Sequence, residues 1–192
     1  MVSPIRSIRS TGQQQPRAHV QRGLGMVELL CSMAITGAVL GQALPAFQAV
    51  QQRQLLSAQA AALETDVQYA RSQARAMNRP VRLTLQATDD GGSCYMVHTG
   101  AAAQCRCDAA GRASCDVGAR LFQVSSQALS SGVSLGRTGR SVVFDAGKGT
   151  VTPTATFVLA NREGQIVHQI VNIVGRTRSC TPNATPGYPA CR

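Results

Sequence analysis

Few residues of this chain have chemistry to offer. Six cysteines, Cys94, Cys105, Cys107, Cys115, Cys180 and Cys191, fall between residues 94 and 191, and Cys31 stands apart in an apolar stretch. In an oxidising compartment six such thiols pair with one another. Cys94, Cys105, Cys107 and Cys115 could instead hold a tetrahedral zinc, but they lack the two CxxC knuckles of such a site, so disulfides are preferred. Without a CxxC, a thiol redox centre is weaker still. Histidines stand only at 19, 98 and 168. His98 and His168 fall in strand patterns, and each reads as a half-exposed sheet residue. No nucleophile elbow and no phosphate-cradling glycine loop is present, and Gly136, Arg137, Thr138 and Gly139 read as a turn. Asn183, Ala184 and Thr185 match the glycosylation acceptor, a pattern short enough to arise by chance. The chain reads as a non-enzyme with no metal and no cofactor.

Its 192 residues set a prior of one domain. They are 44% hydrophobic and 15% charged, which excludes a disordered polyelectrolyte and a multi-span membrane protein. Aromatics are 4% and Trp is absent, so any core is built from Val, Ile, Leu and Ala. The net charge is +10, and every cation but Lys148 is Arg. That skew reflects codon usage as much as function and is discounted as a nucleic-acid signal. Residues 1–23 carry Arg6, Arg9, Arg17 and Arg22, no acid and no structural period, and read as a leader. Residues 24–44 follow with Glu28 as their single charge. As a helix they would span about 30 Å, the thickness of a hydrocarbon core. Arg17 and Arg22 before them keep the N-terminal side cytoplasmic. A cleavable secretory signal is the plainer alternative, with Gly41, Gln42 and Ala43 as a weak cleavage site. Against it stand the length of the run and the carboxylate inside it, which costs about 2.5 kcal/mol or more to insert.

The run from Arg22 through Gly23, Leu24, Gly25, Met26, Val27 and Glu28 to Leu30 resembles the prepilin leader of type IV pilins and type II secretion pseudopilins. The resemblance implies cleavage after Gly23 by prepilin peptidase and N-methylation of Leu24. It places the family's glutamate, at the fifth mature position, on Glu28. Its proline, at the twenty-second, falls on Pro45. Glu28 would then pair with the new amino terminus of a neighbouring subunit during assembly, since an unpaired carboxylate in lipid is costly. Pro45 removes a helix hydrogen bond and should loosen the helix where it leaves the membrane.

Beyond the membrane segment, Leu56, Ala60, Leu63, Val67, Ala70, Ala74 and Met77 recur at spacings of four and three. This is an amphipathic stripe for packing on a sheet, not a dimeric coiled coil. Asn78, Arg79 and Pro80 end it. After Pro80 the period becomes two. Val81, Leu83 and Leu85 open a first strand, and further strands are expected at 94–98, 121–124, 133–135, 142–145, 156–160 and 165–174. Turns are expected at 89–92, 145–149 and 161–164, and residues 100–120 read as a loop. Three divisions result: leader 1–23, helix 24–79 with its transmembrane part 24–44, and a β-rich head 80–192 closed by a disulfide-bonded tail.

Asp66 to Ala74, Asn78 to Leu83, Phe144, Gly147, Phe157 and the closing Gly175, Arg176, Thr177 and Arg178 resemble the GspH/FimT family. The resemblance implies an α+β pilin-like fold, a long N-terminal helix packed on a mostly antiparallel two-sheet β head. It also implies a minor subunit of a type IV pilus or type II secretion pseudopilus. Such a subunit is single-pass in the inner membrane of a Gram-negative-type bacterium, with a periplasmic head, and joins other major and minor pilins or pseudopilins. FimT-like members capture DNA through a C-terminal Gly-Arg-x-Arg motif, here Gly175, Arg176 and Arg178. Two Arg flanking one residue on a turn project to one side and can each fork a phosphate. Arg137, Arg140 and Arg192 could extend the patch, while Arg53, Arg71 and Arg75 are expected to lie away from it on the helix. Without interleaved aromatics, binding to double-stranded DNA would ignore sequence. The alternative is a GspH-type pseudopilin with a purely structural role. In either case the cysteines lie outside the cytoplasm. Cys180 and Cys191 flank a Pro/Gly-rich tail and are expected to pair. Cys94, Cys105, Cys107 and Cys115 pair among themselves, with Cys105 to Cys107 the poorest choice, because an extended i, i+2 pair is badly placed.

Overall fold

A computed structural model describes residues 25–108, 110–137 and 141–191, without the side chains of Pro45, Ala46 and Arg137. Gly23, Leu24, Arg140 and Arg192 lie outside the described residues. The chain divides into two compact units, Met1–Gln42 and Ala43–Arg192. Helix α1 (Met26–Met77) crosses the division. It ends where its last turn is closed from outside. The Arg79 N–H donates to the Ala74 carbonyl and the Asn78 N–H to that of Arg75, with Asn78 at φ 49°. This is the double closure in which an αL residue satisfies the final carbonyls, and Pro80 then bars continuation.

Eleven strands are described after it: β1 (Val81–Ala87), β2 (Ser93–His98), β3 (Cys105–Cys107), β4 (Ala113–Cys115), β5 (Leu121–Gln127), β6 (Val133–Arg137), β7 (Ser141–Phe144), β8 (Val151–Thr152), β9 (Ala155–Asn161), β10 (Ile166–Val171) and β11 (Thr177–Cys180). They form a sheet ordered β5-β2-β1-β7-β8, a second ordered β11-β10-β9-β6, and a ribbon of β3 and β4. All of these pairings are antiparallel. The fold is α+β and pilin-like, one long helix packed on two antiparallel sheets.

One core joins the helix to both sheets. Leu56, Ala60, Leu63, Val67, Ala70 and Ala74 meet Val81, Leu83, Tyr95, Val97, Val142 and Phe144 of the first sheet. The second sheet supplies Leu135, Phe157, Leu159, Val167 and Val171. Each large apolar side chain so buried contributes about 1.5–3 kcal/mol. Polar side chains then fix the helix in register. Gln169, 1% exposed, donates to the Ala60 carbonyl and accepts from the Ser179 hydroxyl. Tyr95 donates to the Asp66 carboxylate at 2.6 Å, and Gln127 donates to Gln59. Burial, then Asp66, pushes the Tyr95 phenol well above its ordinary range, so it stays a donor.

The structure departs from the sequence reading at several positions, among them Gly136 and Arg137, which end strand β6 and pair with β9 instead of forming a turn. Residues 100–120 are not all loop, for β3 and β4 lie within them. Strands of three residues are too short to display a period. The stretch 165–174 is not one strand. β10 stops at Val171, and a turn sends the chain back as β11. Ile173 and Val174, 59% and 52% exposed, extend the apolar run without entering a core. His98 is fully buried, not half-exposed.

Candidate functional site

Three features could carry function: the apolar first part of α1, the cysteine ribbon and the β10–β11 turn. Every residue described from 25 to 42 is exposed. Met26 is 80% exposed, and Val27, Leu29, Leu30, Met33, Ile35, Val39 and Leu40 are exposed beside it. They occupy all sides of the helix, which is the pattern of a segment surrounded by apolar neighbours. Glu28 sits in the first turn, and α1 runs on through Pro45.

The ribbon is held by two disulfides. Cys105 and Cys115 face each other in register with Cα atoms 4.1 Å apart, the close spacing of a non-hydrogen-bonded antiparallel pair. Cys107, two residues on, faces the same way and bonds Cys94 of β2. Gln86 of β1 adds a clamp, donating to the Cys105 carbonyl and accepting from the Cys107 N–H. A small second core of Cys94, Met96 and Cys105 lies beneath. Strand β2 is therefore buried on both faces. At its end the His98 Nδ1–H donates to the Thr99 carbonyl, which leaves Nε2 to accept from the Thr84 hydroxyl. Burial, aided by Arg82, holds this imidazole below its ordinary value. Cys180 and Cys191 close the C-terminal tail. His168 Nδ1 lies 3.8 Å from the Cys191 sulfur, and the potential ligand atoms of His168, Cys180 and Cys191 lie within 4.8 Å of one another. Two of those three are disulfide sulfurs. Cys31 is free and exposed.

The β10–β11 turn is built by Asn172. Its side-chain oxygen accepts the N–H groups of Val174 and Arg176, and Gly175 takes φ 72°. Arg178 then stands opposite Ile170 in β11, and Arg176 follows the same alternation. Both are exposed, on the sheet face opposite Thr177, and with Asn172 and Ile170 they line a recess. The Thr177 hydroxyl is buried without a partner. Arg71 is not remote from this turn. A Cβ on Gly175 would lie 3.2 Å from Arg71 Cδ and Nε. Sequence spacing alone could not show that the helix passes behind the turn. Arg53 instead lines a separate recess with Tyr188 and Thr185.

Residues 59–175 match the family model of type II transport protein GspH, from the middle of α1 to the turn after β10. The chain belongs to the GspH family. No curated protein and no solved structure matches it. GspH proteins are minor pseudopilins of the type II secretion pseudopilus, structural subunits that associate with other pseudopilins. The match in this chain covers Gln68, Asp66, Tyr95, Gln86 and the ribbon, and ends at Gly175. Arg176, Arg178 and the tail disulfide lie beyond it. The residues that position the GspH head, Gln86, Gln127 and Gln169, escaped the sequence reading. A single glutamine carries no periodic or motif signal. Asp66 entered only as part of a motif, without its partner Tyr95.

Proposed function

We propose that this chain is a minor pilin or pseudopilin that enters a type II secretion pseudopilus or type IV pilus through its N-terminal helix. The carrying observation is the run of exposed apolar side chains on α1 before residue 45, with Glu28 as its one charged residue. Lipid solvates such a surface before assembly, and neighbouring helices do so afterwards. In this reading prepilin peptidase cuts after Gly23, Leu24 becomes N-methylated, and the head faces the periplasm. Glu28 answers the amino terminus of the adjacent subunit. Pull-down of assembled filaments tests it. Glu28→Ala should leave maturation intact and sharply reduce incorporation. Equal incorporation of the variant would remove Glu28 from the assembly step.

A second, FimT-like reading is favoured by the β10–β11 turn. Arg176 and Arg178 present two exposed guanidiniums on one face with no carboxylate in ion-pair range among the described residues, where the ion pair is Asp108 with Arg112. Such a pair fits phosphate oxygens, and contacts to phosphate carry no sequence information. Arg176→Gln with Arg178→Gln should weaken duplex DNA binding and lower its salt slope by about one to two. Unchanged binding would return the turn to ordinary surface charge.

A further inference from the structure

The second reading places two arginines on one flank of the β10–β11 turn. The opposite flank carries three more cations. Arg71 and Arg75 lie one helical turn apart near the end of α1, and each runs against a glycine with positive φ. The first glycine is Gly175, described above. The second is Gly149, at φ 62°, where a Cβ would stand 2.7 Å from Arg75 Nη2 and 3.4 Å from its Nε. Lys148, exposed, precedes Gly149. The two glycine turns are joined, because the Val151 N–H donates to the Ile173 carbonyl at 2.8 Å. Gln68, one turn before Arg71, donates to the Gly175 carbonyl. Any other residue at 149 or 175 would put a methyl where a guanidinium now passes, so both glycines bring cations against the turn.

These cations have no anionic counterpart. None of Arg71, Arg75 and Lys148 forms an ion pair among the described residues. Arg71 Nε is buried without a hydrogen-bond partner. The carboxylate of this neighbourhood, Asp145, is exposed and accepts the Lys148 backbone N–H. Farther up the helix Asp66 is taken by Tyr95. Like charges at i, i+4 repel by a few tenths of a kcal/mol, and the helix dipole rewards a cation in the last turn. The dipole accounts for Arg75 but not for the approach of Arg71 to Gly175. Between the two flanks the tip shows Ile173 and Val174, both more than half exposed.

We propose that the β10–β11 tip binds duplex nucleic acid on both flanks, with Arg71, Arg75 and Lys148 meeting phosphates on one side and Arg176 and Arg178 on the other. This rests on the DNA-binding reading and extends it from a two-residue motif to a ridge with cations on two faces. A duplex groove is bounded by two phosphate backbones, so a ridge charged on both sides matches it better than a flat patch does. Ile173 and Val174, which stand between the flanks, carry no hydrogen-bonding group to set against base edges, and contacts to phosphates are independent of sequence.

The test uses the full chain in nonionic detergent and a mixed-sequence DNA duplex, with affinity measured across a salt series. Arg75→Gln, an exposed position, should lower the salt slope by about one without moving the unfolding midpoint. Arg71→Gln with Arg75→Gln should lower it by about one to two and weaken binding roughly tenfold at moderate salt, while the double Lys variant keeps the slope. Combining the Gln pair with Arg176→Gln and Arg178→Gln should add the two losses. If both helix-side Gln variants keep the original affinity and slope while the Arg176 and Arg178 variant loses them, the proposal fails and the two-residue reading stands. If the unaltered chain does not bind the duplex, both fall.

Discussion

Single residues fix how tightly this head is tuned. Gln169 is enclosed between α1 and the second sheet, and both ends of its amide are used. Gln169→Leu keeps the volume but removes two hydrogen bonds, and unfolding by denaturant should show a loss of about 1–3 kcal/mol. Gly175→Ala meets two penalties at once. Its φ of 72° disfavours any Cβ by about 1–2 kcal/mol, and the methyl would stand 3.2 Å from Arg71 and from Val151 Cγ2. A clear drop in unfolding midpoint is expected. His98 carries a pH signature. Burial holds it neutral in the folded head, whereas the unfolded chain takes up a proton as pH falls through about 6.5. The unfolded state then binds more protons, so stability declines as pH falls below that value. Thermal melts across this range should show the decline, and His98→Gln should flatten it.

Among the elements, the β3–β4 ribbon depends on cross-links. Three-residue strands bury too little to stay docked unaided. Cys94 and Cys107 close a loop of separation 13, and Cys105 and Cys115 one of separation 10. Each bond contributes about 3 kcal/mol on the loop-closure scale. Cys94→Ser with Cys107→Ser should release the ribbon while the two large sheets persist. Hydrogen exchange would register this as lost protection at 105–115 with α1 and β9 unchanged. Fast exchange throughout the head would instead make the ribbon part of the main cooperative unit. Mapping by non-reducing digestion should return Cys94 with Cys107, Cys105 with Cys115 and Cys180 with Cys191.

For the whole molecule, the decisive quantity is which chain the cell retains. The four arginines of residues 1–23 are unopposed, so removing them takes the net charge from +10 to +6. Intact mass of the mature protein should correspond to a chain starting at methylated Leu24. A start near Leu44 would show that an ordinary signal peptidase had acted, and the apolar half of α1 could then serve no filament. The match to GspH begins at residue 59 and so leaves that half to be judged by its own physics.

Much of this was legible before any coordinates. The stripe from Leu56 to Met77 named the buried face of α1 because helical periodicity is local. The stop at Asn78 followed from Pro80 for the same reason. The alternation after Val81 gave most of the strands, and the turns at 89–92, 145–149 and 161–164 came from glycine, aspartate and asparagine chemistry that acts within a few residues. What only the tertiary structure decided is long-range. It paired Cys94 with Cys107 across a sheet face and buried His98, at the end of β2, against Thr84 of β1 and the Thr99 carbonyl. It also carried Arg71 to Gly175, more than a hundred positions away in the chain. No period or motif encodes such contacts, because they arise where separately legible elements pack against one another.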